Sequence, residues 1–330
     1  MHSMATTLDR DRILRSQLPF TLGETNWPAL GELYRGKVRD NYRTKDGRLV
    51  MVTSDRLSAF DRVLTTVPFK GELLNRLAIF WFERTRAIVT NHLLDAPDPQ
   101  VLVTRACRPL PVEVVIRGHL TGSLWRDYAA GRGATAYGLQ LPVGLKKDVA
   151  FEWPIVTPST KAPKGEHDEP ISAKEIVGRG LVDQKTWDAC VEKALALFSA
   201  GQRWAMSRGL VLVDTKYEFG IAEDNGALTL IDEIHTPDSS RYWVAEGHAE
   251  RIARGEEQRM LDKENIRQWL ISERNYLGDG PAPIIPDEVR VALASKYAEL
   301  YEQLTGEVAP LSAGPVAARI ETALKSKKLM

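Results

Sequence analysis

Asp214, Lys216 and Glu218 occupy alternate positions in "LVLVDTKYEFGI" (residues 210–221), a stretch whose other residues read as a β-strand. Carboxylates and an ammonium repeated at that interval are suited to proton transfer and to holding a cation against an anionic substrate. Successive strand residues point to opposite faces. The alternation therefore predicts Leu212, Asp214, Lys216 and Glu218 on one face, with Val211, Val213, Thr215, Tyr217, Phe219 and Ile221 on the other, packed into a core. The Asn225-Gly226 pair in "AEDNGA" signals a hairpin, followed by a second strand, "ALTLIDEIH". A three-residue loop would set Glu218 directly opposite Asp232, where two carboxylates need a positive charge between them. Magnesium is the economical candidate; a solvated hairpin face of mixed charge is the alternative.

Other stretches could handle anions. In "YRGKVRDNY", Gly36 precedes Lys37 and Arg39, which are expected on one face of a strand, cations that could cover a polyphosphate beside a glycine turn. An exposed charged strand is the plainer reading. "VEVVIRGHLTGSLWRDY" runs strand, loop, helix, with Arg117 at the strand end and Ser123 at the expected helix N-cap, either an anion site or simple capping. Arg241 follows the hairpin in "DEIHTPDSSRYW" and could close over the same anion. "SDRLSAFD" offers Ser58 and Asp61 in a loop, for a polar ligand or for Asx turns. "GEHDE" (165–169) mixes His with acids but reads more simply as a solvated loop. No GxxxxGK[ST] loop is present, and "GRGATA" follows a helix rather than a strand, so it reads as a helix end and not a dinucleotide fingerprint.

These residues need elements to hold them. The first third of the chain is strand-rich, interrupted by an amphipathic helix over 70–87; 153–172 is irregular and proline-rich, as a functional lid would be. A long helix is expected to end at Gly209 and feed straight into the charged strand, and helical patterns dominate the C-terminal part. The fold class expected is α+β, with a β-rich lobe over 1–112 and a second lobe over 113–330 that ends in a helical extension from about 245. Lysine plus arginine equals aspartate plus glutamate at 44 each in 330 residues, so no global basic field points to nucleic acid. Cys107 and Cys190 are too few and too far apart for a disulfide framework. No apolar run approaches the ~20 residues of a membrane span, and the N-terminus lacks a signal-peptide centre, so a cytoplasmic protein without a membrane partner is expected.

Taken in order, "RGKVRDNY", "SDRLSAFD", "PVEVVIRGHLTGSLW", "PSTKAPKGEHDE", "DTKYEFG" and "IDEIHTPDSSRYW" resemble the phosphoribosylaminoimidazole-succinocarboxamide synthase (SAICAR synthetase) family, from about residue 30 to "ELYEQLTG". The resemblance implies a kinase-like β-rich lobe and an ATP-grasp-like lobe, and the length is similar to the longer, monomeric form of the family. It implies ligation of L-aspartate to the carboxylate of carboxyaminoimidazole ribonucleotide, with ATP and magnesium. By the same resemblance Lys37 and Arg39, beside Gly36, match the phosphate-contacting pair, although some members have Lys at the second position. Glu218 and Asp232 match the magnesium carboxylates, and Asp214 and Lys216 the pair near the reacting groups. Arg117, Ser123 and Arg241 match the ribonucleotide phosphate site, and Asp61, with Ser58 in the same motif, the ribonucleotide contact. "RPLPVE", which ends in Glu113, takes the place of the adenine hinge. The rivals are a kinase-type phosphotransferase acting on a small phosphorylated metabolite, and a catalytically silent nucleotide-binding protein.

Overall fold

The computed structural model describes residues 4–60, 62–161 and 168–330, and mixes helices with antiparallel sheets. Two compact units divide it: residues 1–80, 92–106 and 261–330 form one, and 81–91 with 107–260 form the other. The expected division lies at 112/113; the units part at 106/107, and residues 261–330 group with the N-terminal part rather than with residues 210–222.

Packing explains why. The first unit is built on a five-stranded sheet in the order Glu32–Arg35, Arg39–Arg43, Leu49–Thr53, Val101–Thr104, Leu93–Asp98. Val50, Val52, Val101 and Val103 share one core cluster with Val316, Ile320 and Leu324, the apolar stripe at four-residue spacing on the helix Val316–Ser326. Arg319 of that helix bonds Glu72 at 2.8 Å, Asp98 at 3.0 Å and Gln100 at 2.9 Å. The stripe and the arginine fasten the C-terminal helix to this sheet.

The second unit is a six-stranded sheet. Ser159–Thr160, Cys107–His119, Leu210–Ala222 and Leu228–Ile231 run in that order, with Ala150–Val156 added beside Cys107–His119 and Ser240–Val244 beside Leu210–Ala222. The helix Gln184–Ser207 buries Trp187, Cys190, Ala194, Leu197, Phe198, Gly201 and Ala205 against it, and Gly209, at φ +72°, turns the chain into the long strand as expected. A Cβ on Gly201 would lie 2.5 Å from His235 Cε1 and 2.7 Å from Leu212 Cδ2. Gly201→Ala should therefore destabilise the chain by about 1–3 kcal/mol, read as a lowered urea midpoint.

The pairing of Leu210–Ala222 is irregular at two places, and against Cys107–His119 the register shifts between Glu218 and Gly220. The register with Ser240–Val244 shifts between Leu212 and Asp214, a bulge that re-aims the side chains beyond it. Leu212 consequently packs on Gly201 beside His235, whose Nε2 pairs with the Tyr217 hydroxyl at 2.6 Å, whereas Val211 and Val213 pack with Trp243 and Met260. Leu212 does not share the charged face, contrary to strict alternation. Residues 153–172 are also less irregular than expected, since 153–156 and 159–160 are strand. Residues 162–167, most of "GEHDE", lie outside the described residues. Cys107 and Cys190 are free thiols, and no helix among the described residues is long and apolar enough to cross a membrane.

Candidate active site

The charged face of the second unit forms where Leu210–Ala222 lies between Cys107–His119 and the two shorter strands. Asp214 pairs with Arg117 on one side and Arg241 on the other, and Glu218 pairs with Glu113 and Ile231. Glu218 therefore faces Glu113, not Asp232. The hairpin loop spans Glu223–Gly226, one residue longer than assumed, and this shifts the register. Asp232 lies just past the strand at φ +67°, a left-handed conformation that Asp tolerates better than most residues.

A positive charge does lie between the facing carboxylates, and it is Lys216. Its Nζ donates to Glu113 Oε1 at 2.6 Å and to Glu218 Oε1. Lys161 Nζ donates to the other Glu218 oxygen. Burial alone would push the Lys216 ammonium down, but Glu218, Glu113 and Asp232 together hold it well above the ordinary lysine value. Burial would likewise raise the Glu218 carboxyl, yet Lys216 and Lys161 draw it far below the usual range. Glu113 goes the other way, raised by burial and by Glu218 against the pull of Lys216. The cluster holds firmly charged Lys216 and Glu218 beside a carboxyl of weakened acidity.

Arginine dominates the other end of the face. Arg117, only 6% exposed, donates to Thr157 Oγ1 at 2.8 Å, Ser123 Oγ at 3.1 Å and Asp214 Oδ2 at 3.4 Å. Arg241 donates to the same Asp214 oxygen. Both guanidiniums use Oδ2, and Oδ1 accepts no hydrogen bond from the described residues. The Arg241 guanidinium also packs on Gly122, where a Cβ would come within 2.6 Å of Nη2. Gly122 opens the helix Gly122–Ala129, whose N-cap is Thr121 and not Ser123; the Thr121 side chain makes no cap bond. Helix N–H groups, two guanidiniums and a hydroxyl thus converge where a phosphate could be held. Asp214 and Glu218 are four residues apart, about 13 Å along a strand, so an anion end and a carboxylate–lysine end are separate places on one floor. Asp214 bonds the arginines, and Lys216 bonds the glutamates; the two are not paired with each other.

The remaining expected residues belong to the first unit. Lys37 is not on a strand face with Arg39: Gly36–Val38 forms the turn between Glu32–Arg35 and Arg39–Arg43, closed by Gly36 N–H to the Arg39 carbonyl at 2.8 Å. The two-residue strand spacing assumed for the pair is taken up by the turn. Lys37 is exposed and Arg39 buried. Ser58 lies in the strand Arg56–Ala59, not in a loop, and pairs with Val63; Asp61 lies outside the described residues. Lys161 escaped sequence reasoning because a lone lysine in a proline-rich stretch carries no periodicity; it becomes visible only when Ser159–Thr160 adds to the edge of Cys107–His119.

Comparison with known proteins identifies the chain. The SAICAR synthetase family model matches residues 32–282. The chain belongs to that family. It is 46% identical over 310 residues to the phosphoribosylaminoimidazole-succinocarboxamide synthase of Legionella pneumophila (strain Lens), covering 92% of this chain and 97% of the relative. A solved SAICAR synthase from Saccharomyces cerevisiae complexed with SAICAR superposes with a TM-score of 0.76 at 34% identity, covering 88% of this chain and 100% of that one. A type-2 SAICAR synthetase in complex with ADP gives 0.64 at 26% identity, over 84% and 99% of the two chains. SAICAR synthetases are ligases of purine biosynthesis that join L-aspartate to carboxyaminoimidazole ribonucleotide, and this ligation is the activity of the chain.

Proposed function

We propose that the floor formed by Asp214, Lys216 and Glu218 carries both halves of an ATP-driven ligation, with the ribonucleotide phosphate at the arginine end and phosphoryl transfer at the carboxylate–lysine end. The observation behind this reading is the segregation of partners along one strand: Asp214 with Arg117 and Arg241, Glu218 with Lys216 and Lys161. The relative solved with ADP and the one solved with SAICAR support the two ligand classes. In the first unit Gly36, Lys37 and Arg39 cover the ATP polyphosphate. In the second, the backbone ending at Glu113 receives the adenine. Ser58 and Asp61 belong to the ribonucleotide contacts. The β-rich unit corresponds to a kinase-like lobe and the sheet with the catalytic strand to an ATP-grasp-like lobe, in a monomeric, cytoplasmic enzyme.

A carboxylate is a poor electrophile for an amine. Its oxygen therefore attacks the γ-phosphorus of ATP, ADP departs, and the resulting acyl phosphate is attacked at its carbonyl carbon by the aspartate amine, releasing phosphate. Lys216 and Lys161 offset charge on the phosphoryl oxygens. Glu218 and Asp232 are the residues that would hold magnesium. The donor set fits, since Asp232 acts with Glu218 on Lys216 and Lys161, and those ammoniums mark where a cation is favoured. Two carboxylates suffice for magnesium, which would take its further ligands from water and substrate phosphates. Bound there, magnesium supplies charge neutralisation to the transferring phosphoryl group. Asp214 takes the amine proton on Oδ1 while the arginines fix Oδ2.

Arg241→Ala should weaken ribonucleotide binding by roughly 1.5 to 3 kcal/mol and spare ATP, measured by calorimetry with each ligand. Equal loss for both ligands would move Arg241 out of the phosphate site. ADP release measured with and without aspartate tests the ligase reading: release should require aspartate at steady state. Undiminished turnover without it would favour the phosphotransferase.

A further inference from the structure

Arg56 sits in none of the roles above, yet it is 7% exposed and turns two of its three guanidinium nitrogens onto one turn. Nη2 donates to the Gly36 carbonyl at 3.1 Å and Nε to the Lys37 carbonyl at 2.9 Å, while Nη1 takes the Gly23 carbonyl at 2.5 Å. Two residues earlier, Ser54 binds the next carbonyl: its hydroxyl donates to Val38 O at 2.7 Å and its N–H at 3.0 Å. The Arg56 charge is met by fully buried Asp40, 2.8 Å from Nη2, which Thr25 N–H at 2.6 Å and Thr25 Oγ1 at 2.9 Å also anchor.

Three consecutive carbonyls, those of Gly36, Lys37 and Val38, are therefore held by Ser54 and Arg56. In a trans peptide the N–H points opposite to its carbonyl, and no described peptide is cis. The N–H groups of Lys37 and Val38 are consequently directed away from Arg56, the arrangement of a backbone nest for an anion. We infer that Arg56, with Ser54, is a positioning residue that sets the Gly36–Val38 turn for the ATP polyphosphate. Arg56 acts through the turn's geometry: its Nε and Nη2 are turned onto the Lys37 and Gly36 carbonyls, and the Asp40 carboxylate that meets it is shared with Arg35 at 3.3 Å. A planar fork is required for this, and lysine cannot reproduce it. The inference rests on the proposed role of the turn as the nucleotide cover.

The test is steady-state kinetics on Arg56→Lys, Ser54→Ala, Lys37→Ala and the Lys37→Ala/Arg56→Lys pair, with thermal melting of each. Arg56→Lys should raise KM for ATP about ten-fold and leave KM for the ribonucleotide and aspartate within about two-fold; Ser54→Ala, which keeps its backbone bond, should do the same more weakly. The double variant should be little worse than Lys37→Ala alone, because both act on one turn. Should Arg56→Lys fail to fold, Ser54→Ala carries the test. An unchanged KM for ATP in Arg56→Lys and Ser54→Ala, with a raised one in Lys37→Ala, would overturn the role of Arg56. If Lys37→Ala also left KM for ATP unchanged, the nucleotide reading of the turn would fall, and the inference with it.

Discussion

Asp232→Asn should lower kcat on the order of a hundred-fold or more and raise the magnesium concentration needed for half-maximal rate. Asp232 is the carboxylate that acts with Glu218 on both Lys216 and Lys161, and the amide removes its charge while keeping its volume. The fold should survive, because Asn accepts the left-handed conformation at φ +67° as readily as Asp does. A magnesium titration of initial rate, paired with a thermal melt, reads both effects. A normal titration in a folded variant would take Asp232 out of the metal site.

Asp214→Asn should slow amide formation by roughly a hundred-fold or more, the usual worth of a positioned base, with little change in ATP affinity. The asymmetry of its hydrogen bonds is the reason. An asparagine can keep its oxygen on Arg117 and Arg241 in the place of Oδ2, which would preserve the proposed phosphate site, but its NH₂ would then stand where Oδ1 is proposed to accept the proton. Kd for the ribonucleotide should therefore change much less than in Arg241→Ala. Calorimetry against the ribonucleotide separates the two variants.

Much of this site was legible in the sequence because strand alternation is a local rule. Asp214, Lys216 and Glu218 read as one face from their spacing alone, and the structure places them so. Which residues face them is a long-range matter. Glu113 meets Glu218 across more than a hundred residues of chain, and a single extra loop residue removed Asp232 from the pairing. Leu212 was misplaced because a bulge has no reliable signature in a run of Leu and Val. The turn at Gly36 was visible through its glycine, but the carbonyl contacts of Arg56 were not: "SDRLSAFD" suggests hydroxyls for a ligand, and nothing local shows that its arginine points into the protein's own backbone. The helical character of the C-terminal part was legible from its pattern; its attachment to the first sheet depended on Val316, Ile320, Leu324 and Arg319 meeting residues some two hundred positions away.

The central claim is that one charged face separates phosphoryl transfer from amide formation, with Glu218 and Asp232 serving the first and Asp214 the second. Rapid quench with γ-labelled ATP, on the Asp214→Asn and Asp232→Asn variants with aspartate varied, tests it most directly. The account predicts that Asp214→Asn still transfers the label to the ribonucleotide carboxylate at close to the normal rate, then turns the acyl phosphate over slowly. Asp232→Asn should lose the transfer itself. Loss of both steps by the same factor in Asp214→Asn would place that carboxylate in the phosphoryl-transfer machinery and contradict the division of the floor.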